Sequence, residues 1–169
     1  HVGSGVFEVH NGRPLSINAR DTEGRLIIPG STMKGVVAHY HLAVIGSTDK
    51  NSSLFGSPRH MSRIFFEDVK PERDKIPPVI VDVGASWKPK KRPDKRNMMK
   101  LYRPDLERVK EEVVQYLECI PEDTVMSSKI VVVNSSIDEV AEVLLSMSYT
   151  CGGLMLVGYG KPKGLGKVK

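Results

Sequence analysis

Cysteine is nearly absent: the 169 residues contain two, Cys119 and Cys151. Two distant thiols make no disulfide framework, and the lack of any Cys-x-x-Cys pair argues against a zinc site, so both are expected as buried thiols. Long apolar runs are missing too. At 40% hydrophobic residues the chain can build a core, but no run approaches the roughly 18 residues that a membrane span needs. The sequence starts at His1 with no signal-like segment, which predicts a soluble, cytoplasmic protein. It also lacks an initiator methionine, which predicts a trimmed or partly ordered N-terminus. The length suits one domain, or one domain with an insertion, and no internal repeat is evident.

A nucleotide loop is lacking as well, although the C-terminal stretch LMLVGYGKPKGLGKVK (154–169) looks like one at first sight. A P-loop needs Gly-x-x-x-x-Gly-Lys-Ser/Thr running into a helix. Here Val168 stands in the hydroxyl position after Gly166-Lys167, and the chain ends without room for a helix. The dinucleotide fingerprint fails because Lys163 occupies the place of its third glycine. No cofactor and no metal site are therefore expected.

What is present in excess is positive charge in two places. Residues 88–103 hold eight Lys/Arg and one Asp, and residues 161–169 hold four lysines and no acid. The two segments carry +7 and +4 against a total of +5, so the rest of the chain is mildly acidic at −6. Concentrated cations on an acidic body are what a polyanion-binding surface requires, because each neutralised phosphate releases counterions.

The periodicities give a coarse element order. Residues 1–12 read as a glycine-rich loop, with the first core strand at or before residue 1. LSIN (15–18) and RLII (25–28) are strand-like around the turn RDTEG (20–24). Pro29-Gly30 starts a helix that Ser31 or Thr32 can cap, with Met33, Val36, Val37, Tyr40 and Val44 on its apolar stripe. The stretch on to about Gly56 reads as loop, and RIFFEDV (63–69) as strand. Residues 70–96, rich in proline and charge, read as an inserted arm. In 105–118, Leu106, Val109, Val113 and Leu117 fit a helical stripe, but VVQYLECI (113–120) also fits a buried strand; a short helix passing into a strand is expected. PEDT (121–124) is a turn and KIVVVN (129–134) a strand. A helix follows, with a capping box at Ser136 and Glu139 and a stripe of Val140, Val143, Leu144 and Met147. LMLVGY (154–159) is the last strand. The order is that of an α+β, ferredoxin-like (RRM-like) βαββαβ core, spanning 1–69 and 104–169, with a basic arm inserted at 70–103.

Three stretches in sequence order, HVGSG (1–5), LIIPGSTMKGVVAH (26–39) and LFGS (54–57) with RIFFEDV, resemble the RAMP superfamily of CRISPR-associated proteins. ECIPEDTVMSSKIVVVN (118–134) and GGLMLVGYGKPKGLGKVK (152–169) are similar to two further motifs of that family, its glycine-rich C-terminal loop among them. Within it the chain looks most like the backbone subunits of type III effector complexes. The resemblance implies binding to CRISPR RNA, contact with complementary target RNA, and stacking with copies or paralogues. The residues agree with that on their own chemistry. A Pro-Gly-Ser turn entering a helix offers unpaired N–H groups at a dipole-positive end, with Lys34 one turn in, so Gly30, Ser31, Thr32 and Lys34 are candidate phosphate contacts. Gly158, Gly160, Gly164 and Gly166 allow close backbone approach to a sugar-phosphate chain, with Lys161, Lys163 and Lys167 as counter-charges. Arg59 and Arg63 are further candidates, as are Lys88, Lys90, Lys91 and Arg92 of the arm. There Trp87, Met98 and Met99 can stack on bases, or equally anchor the arm to the core.

The resemblance does not carry RNA cleavage over. Target-cleaving relatives place an aspartate in the loop before the Pro-Gly-Ser motif; here that place falls at Arg13-Pro14, and no acid lies between Glu8 and Asp21. Glu8, Asp21 and, as a general acid or base, His10 are the only substitutes to consider. Asp21 is expected to belong to the turn. His39 and His41, two apart on a helix, point to different faces and form no metal pair.

Overall fold

The computed structural model describes residues 1–73, 75–84, 112–151, 155–161 and 165–168. In chain order its first elements are β1 (Gly3–His10), β2 (Arg13–Asn18), α1 (Gly30–Ile45), α2 (Thr48–Phe55), β3 (Ile64–Phe66) and β4 (Lys70–Pro71). They are followed by β5 (Val79–Gly84), β6 (Val113–Cys119), β7 (Met126–Ser127), β8 (Ile130–Val132) and α3 (Ile137–Cys151).

The first departure from expectation is at the N-terminus, where residues 3–18 form a β-hairpin and not a glycine-rich loop. Asn11 and Gly12 both take positive φ, 49° and 73°, as a two-residue type I′ turn requires, and Asn-Gly is the favoured pair for it. Beyond the hairpin, β2 runs parallel to β6, with Leu15 beside Tyr116 and Ser16 beside Leu117. Strand β5 pairs antiparallel with β6 from Val79–Cys119 to Gly84–Val113. The result is a four-stranded sheet in the order β1-β2-β6-β5. Val79–Gly84 is thus a sheet strand, although its Pro-rich flank made it read as arm. The ambiguous 105–118 stretch resolves as strand from Val113 onward; its earlier residues lie outside those described.

The second layer carries the main core. β3 and β8 pair antiparallel, Ile64 with Val132 and Phe66 with Ile130. α1 and α3 pack against each other over a cluster of Val36, Val37, Ile64, Val143, Met155 and Val157. Leu54 and Phe55 join it from α2, a helix where loop was expected. Only two apolar residues of α2 are buried, so its stripe is too short to register; Ser47 caps it, accepting from the Lys50 N–H, and Gly56 ends it. Each large aliphatic side chain in this cluster contributes about 1.5–3 kcal/mol on burial. On α3 the expected stripe departs at one member, Leu144. Leu144 is 60% exposed while Ser146 is buried, its hydroxyl donating to the Glu142 carbonyl at 2.7 Å. Among the described residues the terminal segment forms no named strand; Leu156 makes an isolated bridge to Lys167, where a longer strand was expected. The whole is the α+β, ferredoxin-like arrangement that the element order predicts, with the hairpin sheet added beside it.

Candidate nucleic-acid interface

The first and last glycine-rich motifs lie backbone to backbone. The Tyr159 N–H donates to the His1 carbonyl at 2.9 Å, and the Ala19 N–H to the Val2 carbonyl at 2.7 Å. A Cβ on Gly158 would stand 2.1 Å from the His1 carbonyl oxygen, and one on Gly166 would stand 2.0 Å from that of Val157. Both glycines have positive φ, 85° and 83°. No side chain fits at either place. The closeness that these glycines permit is therefore used within the protein, where the sequence suggested it was reserved for RNA. Gly160, also at positive φ, faces the movable end of the Leu165 side chain instead of backbone.

Under this junction lies a polar knot that the sequence reading missed. Asn18, fully buried, accepts from the Val2 N–H at 2.7 Å and donates to the carbonyls of Ala19 and Ile27. Its own N–H donates to the Glu118 carboxylate at 2.9 Å, and Arg20 is ion-paired with the other carboxylate oxygen. The His1 ring bridges the Glu118 carbonyl, 2.6 Å from Nδ1, and the Ser16 hydroxyl, 3.1 Å from Nε2. A buried carboxylate must be paired and hydrogen-bonded to be tolerated. Glu118 between Leu117 and Cys119, an acid flanked by two apolar residues in a strand, was the available signal.

The start of α1 differs from expectation. Neither Ser31 nor Thr32 caps it: the residue before the helix is Pro29, which makes no side-chain cap. Asp68, far along the chain, accepts from the Gly30 N–H at 2.8 Å. Thr32 and Met33 donate to the Pro29 carbonyl. A carboxylate thus already sits at the positive end of the helix dipole, where a phosphate was expected. Gly30 is there because a Cβ would fall 2.0 Å from the Phe66 carbonyl oxygen. Among the described residues Lys34 has no ion pair, and it is half-buried beside this end.

The remaining candidates separate. Arg63 is committed to the fold: it donates to the Ser53 carbonyl at 3.1 Å and to the Asn134 carbonyl, and it is ion-paired with Glu139. That pairing, with the Ser136 N–H, holds the Glu139 carboxyl down to about 2. Arg59 is exposed in a short turn and has no ion pair among the described residues. Lys161 is half-buried and Lys167 exposed. Lys88, Lys90, Lys91, Arg92, Lys163 and Gly164 lie outside the described residues, as do Trp87, Met98 and Met99.

The three acid–base candidates do not make a site. Glu8 is exposed on β1 and His10 meets the Tyr116 ring edge-on at 4.9 Å, both near the hairpin turn. Asp21 lies past the other end of β2, accepting from the Glu23 and Arg25 N–H groups and ion-paired with Arg25. Desolvation pushes its pKa up, but these bonds prevail and hold it below the ordinary value. It is the turn residue that the sequence predicted. Pro14, near which the resemblance put the family's loop aspartate, sits in β2 opposite Val9. Among the described residues no group of three or more His, Cys, Asp or Glu is arranged to hold a metal, and no helix is long and apolar enough to cross a membrane. His41 is fully buried, its Nδ1 3.2 Å from the Asn51 amide and its Nε2 3.7 Å from the Glu142 carboxylate.

Comparison with known proteins bears on the whole arrangement. A solved structure titled "Type IV-B CRISPR Complex" superposes with a TM-score of 0.54 at 15% sequence identity, covering 98% of this chain and 78% of that one. At that identity the likeness concerns the fold. No curated protein matches the chain. The family profile described as the RAMP superfamily matches residues 1–169, from the His1 motif to the last lysine, and on that match the chain belongs to the RAMP superfamily.

Proposed function

We propose that this chain is a structural subunit of a CRISPR ribonucleoprotein effector complex, holding guide RNA through its sugar-phosphate backbone without reading its sequence. The observation that carries the reading is the match of the family across the full chain, motifs at both ends included. The charge distribution supports it. The excess positive charge is concentrated at 88–103 and 161–169, while the rest of the chain is mildly acidic. Lys34, Arg59, Lys161 and Lys167 are the described cations that would touch phosphate, joined by Lys163 and the arm residues Lys88, Lys90, Lys91 and Arg92. Arg63 is left out because its guanidinium is already engaged. In this reading the core is 1–69 with 104–169, joined by strand β5 of the 70–103 insertion, and the segment after β5 is the part that reaches the guide–target duplex or a neighbouring subunit. The resemblance to backbone subunits makes that complex a type III one acting in antiviral defence.

Binding should be steeply salt-dependent. In filter binding to single-stranded RNA, log affinity should fall with log salt with a slope of about −0.7 per neutralised phosphate. A slope near zero would overturn the reading in favour of a subunit that touches only protein. Target cleavage by the assembled complex, compared with Glu8→Ala and Asp21→Ala, tests the endoribonuclease alternative; the geometry predicts no loss attributable to either carboxylate.

A further inference from the structure

Three helices meet on one buried histidine. His41 of α1 is fully buried, with its ring 5.2 Å from that of Phe55 of α2. Among the described residues its Nε2 is the one buried side-chain nitrogen or oxygen without a hydrogen-bond partner. A buried polar group left in that state calls for a physical reason.

The Asn51 amide of α2 settles the state of the ring. Asn51 Nδ2 donates to the Ala38 carbonyl at 2.7 Å and lies 3.2 Å from His41 Nδ1. Turning the amide over would set its oxygen against the Ala38 carbonyl oxygen, two acceptors facing each other. The second amide hydrogen therefore goes to Nδ1, which accepts it and carries no proton. The imidazole is neutral, with its hydrogen on Nε2, 3.7 Å from the Glu142 carboxylate of α3. Lys50 of α2 holds that carboxylate at 2.5 Å. Burial pushes the His41 pKa below its ordinary value, while Glu142 pulls it up and Lys50 down. Asp138 and Glu139 of α3 act on Lys50 in turn.

We infer that His41 is an acid-sensitive latch: neutral, it accepts from Asn51 and holds α2 to α1, and a proton arriving on Nδ1 releases α2. Such a proton meets the amide hydrogen, and relief requires Asn51 to turn and give up the Ala38 carbonyl. α2 is the element that yields, because only Leu54 and Phe55 of it are buried, and units with few buried apolar contacts open first. Below the ordinary histidine value of 6.5 the opened state binds a proton that the closed state refuses. The latch therefore weakens as pH falls from there and is indifferent to pH above it. The turn that carries Arg59 follows α2 directly, so acid would also disturb that phosphate contact. This last consequence alone rests on the proposed function.

Hydrogen exchange on the RNA-free full chain tests the latch apart from any RNA binding. Corrected for the intrinsic rate, protection of residues 51–55 should fall by up to about tenfold per pH unit below the ordinary histidine value, the limit for one proton. Protection of residues 143–147 in α3 should fall less. His41→Gln should abolish the fall, and His60→Ala, which removes the exposed histidine beyond α2, should keep it. Asn51→Asp should reverse it, since a carboxylate accepts from a protonated Nδ1. Nitrogen NMR of the wild-type ring at neutral pH should show Nδ1 without a proton. A protonated Nδ1 there, wild-type α2 protection that is unmoved by acid, or a fall that persists in His41→Gln would each overturn the inference.

Discussion

Helices α1 and α3 pack against each other, yet their first turns are held in different ways. α3 is capped by its own sequence: the Glu139 N–H donates to the Ser136 hydroxyl at 3.2 Å, and the Ser136 N–H donates back to the Glu139 carboxylate at 2.9 Å. α1 is capped by Asp68, which arrives from beyond β3. A local cap is a property of four consecutive residues. A tertiary cap exists only once the chain has folded, and the residues that look like the cap, Ser31 and Thr32, are then bystanders. The contrast also bears on RNA. The helix end whose sequence suggests a phosphate site is the one already supplied with a carboxylate.

The sharpest way to break the comparison is Gly30→Ala. The new Cβ meets backbone, not a movable side chain, so a loss of about 3 kcal/mol or more is expected in a thermal melt, with α1 separating from β3. Next comes Glu139→Gln, which weakens both the box of α3 and its ion pair with Arg63; a loss of about 1–2 kcal/mol at neutral pH is expected in urea titration. Its pH dependence has a definite sign. With the folded carboxyl at about 2 against an ordinary 4.5, the native state binds fewer protons than the unfolded one between those values. Wild-type stability from this group is present above the ordinary value and is lost as pH falls towards 2. The Gln variant should lack that limb, and an identical acid profile would show that the pair does not act through charge.

Asp68→Asn should be milder for the fold and opposite for ligand. Removing the competing charge at the start of α1 should raise single-stranded RNA affinity about two- to fivefold at low salt, the size of a helix-dipole interaction. No change would place the RNA away from this helix end. Smallest of all, Ser31→Ala should move stability by less than about 0.5 kcal/mol. A larger loss would show that Ser31 caps after all.

Much of the layer of β3, β8, α1 and α3 was legible because its cues are local: Ser136 and Glu139 with a 3.6-residue stripe, and a β-branched run at 130–132. The hairpin carried a cue too, Asn11-Gly12, but the surrounding glycines outweighed it. α2 was hidden because its burial rests on Leu54 and Phe55 alone. β5 was hidden because prolines flank a strand whose partner, β6, lies some thirty residues on. In the candidate interface, the cations were legible as charge, but their availability was not. Arg63 and Lys34 look alike in sequence, and only the packing of Glu139 and Asn134 around Arg63 separates them.

By itself the sequence determined the family, the α+β element order and the concentration of positive charge at 88–103 and 161–169. These depend on residue identity and short spacing. Tertiary structure alone decided what the glycines serve, that Asp68 caps α1, and that Asn18 and Glu118 tie the first motif to the sheet. Each of those depends on two backbones distant in sequence coming within van der Waals or hydrogen-bond distance, and no local pattern encodes that.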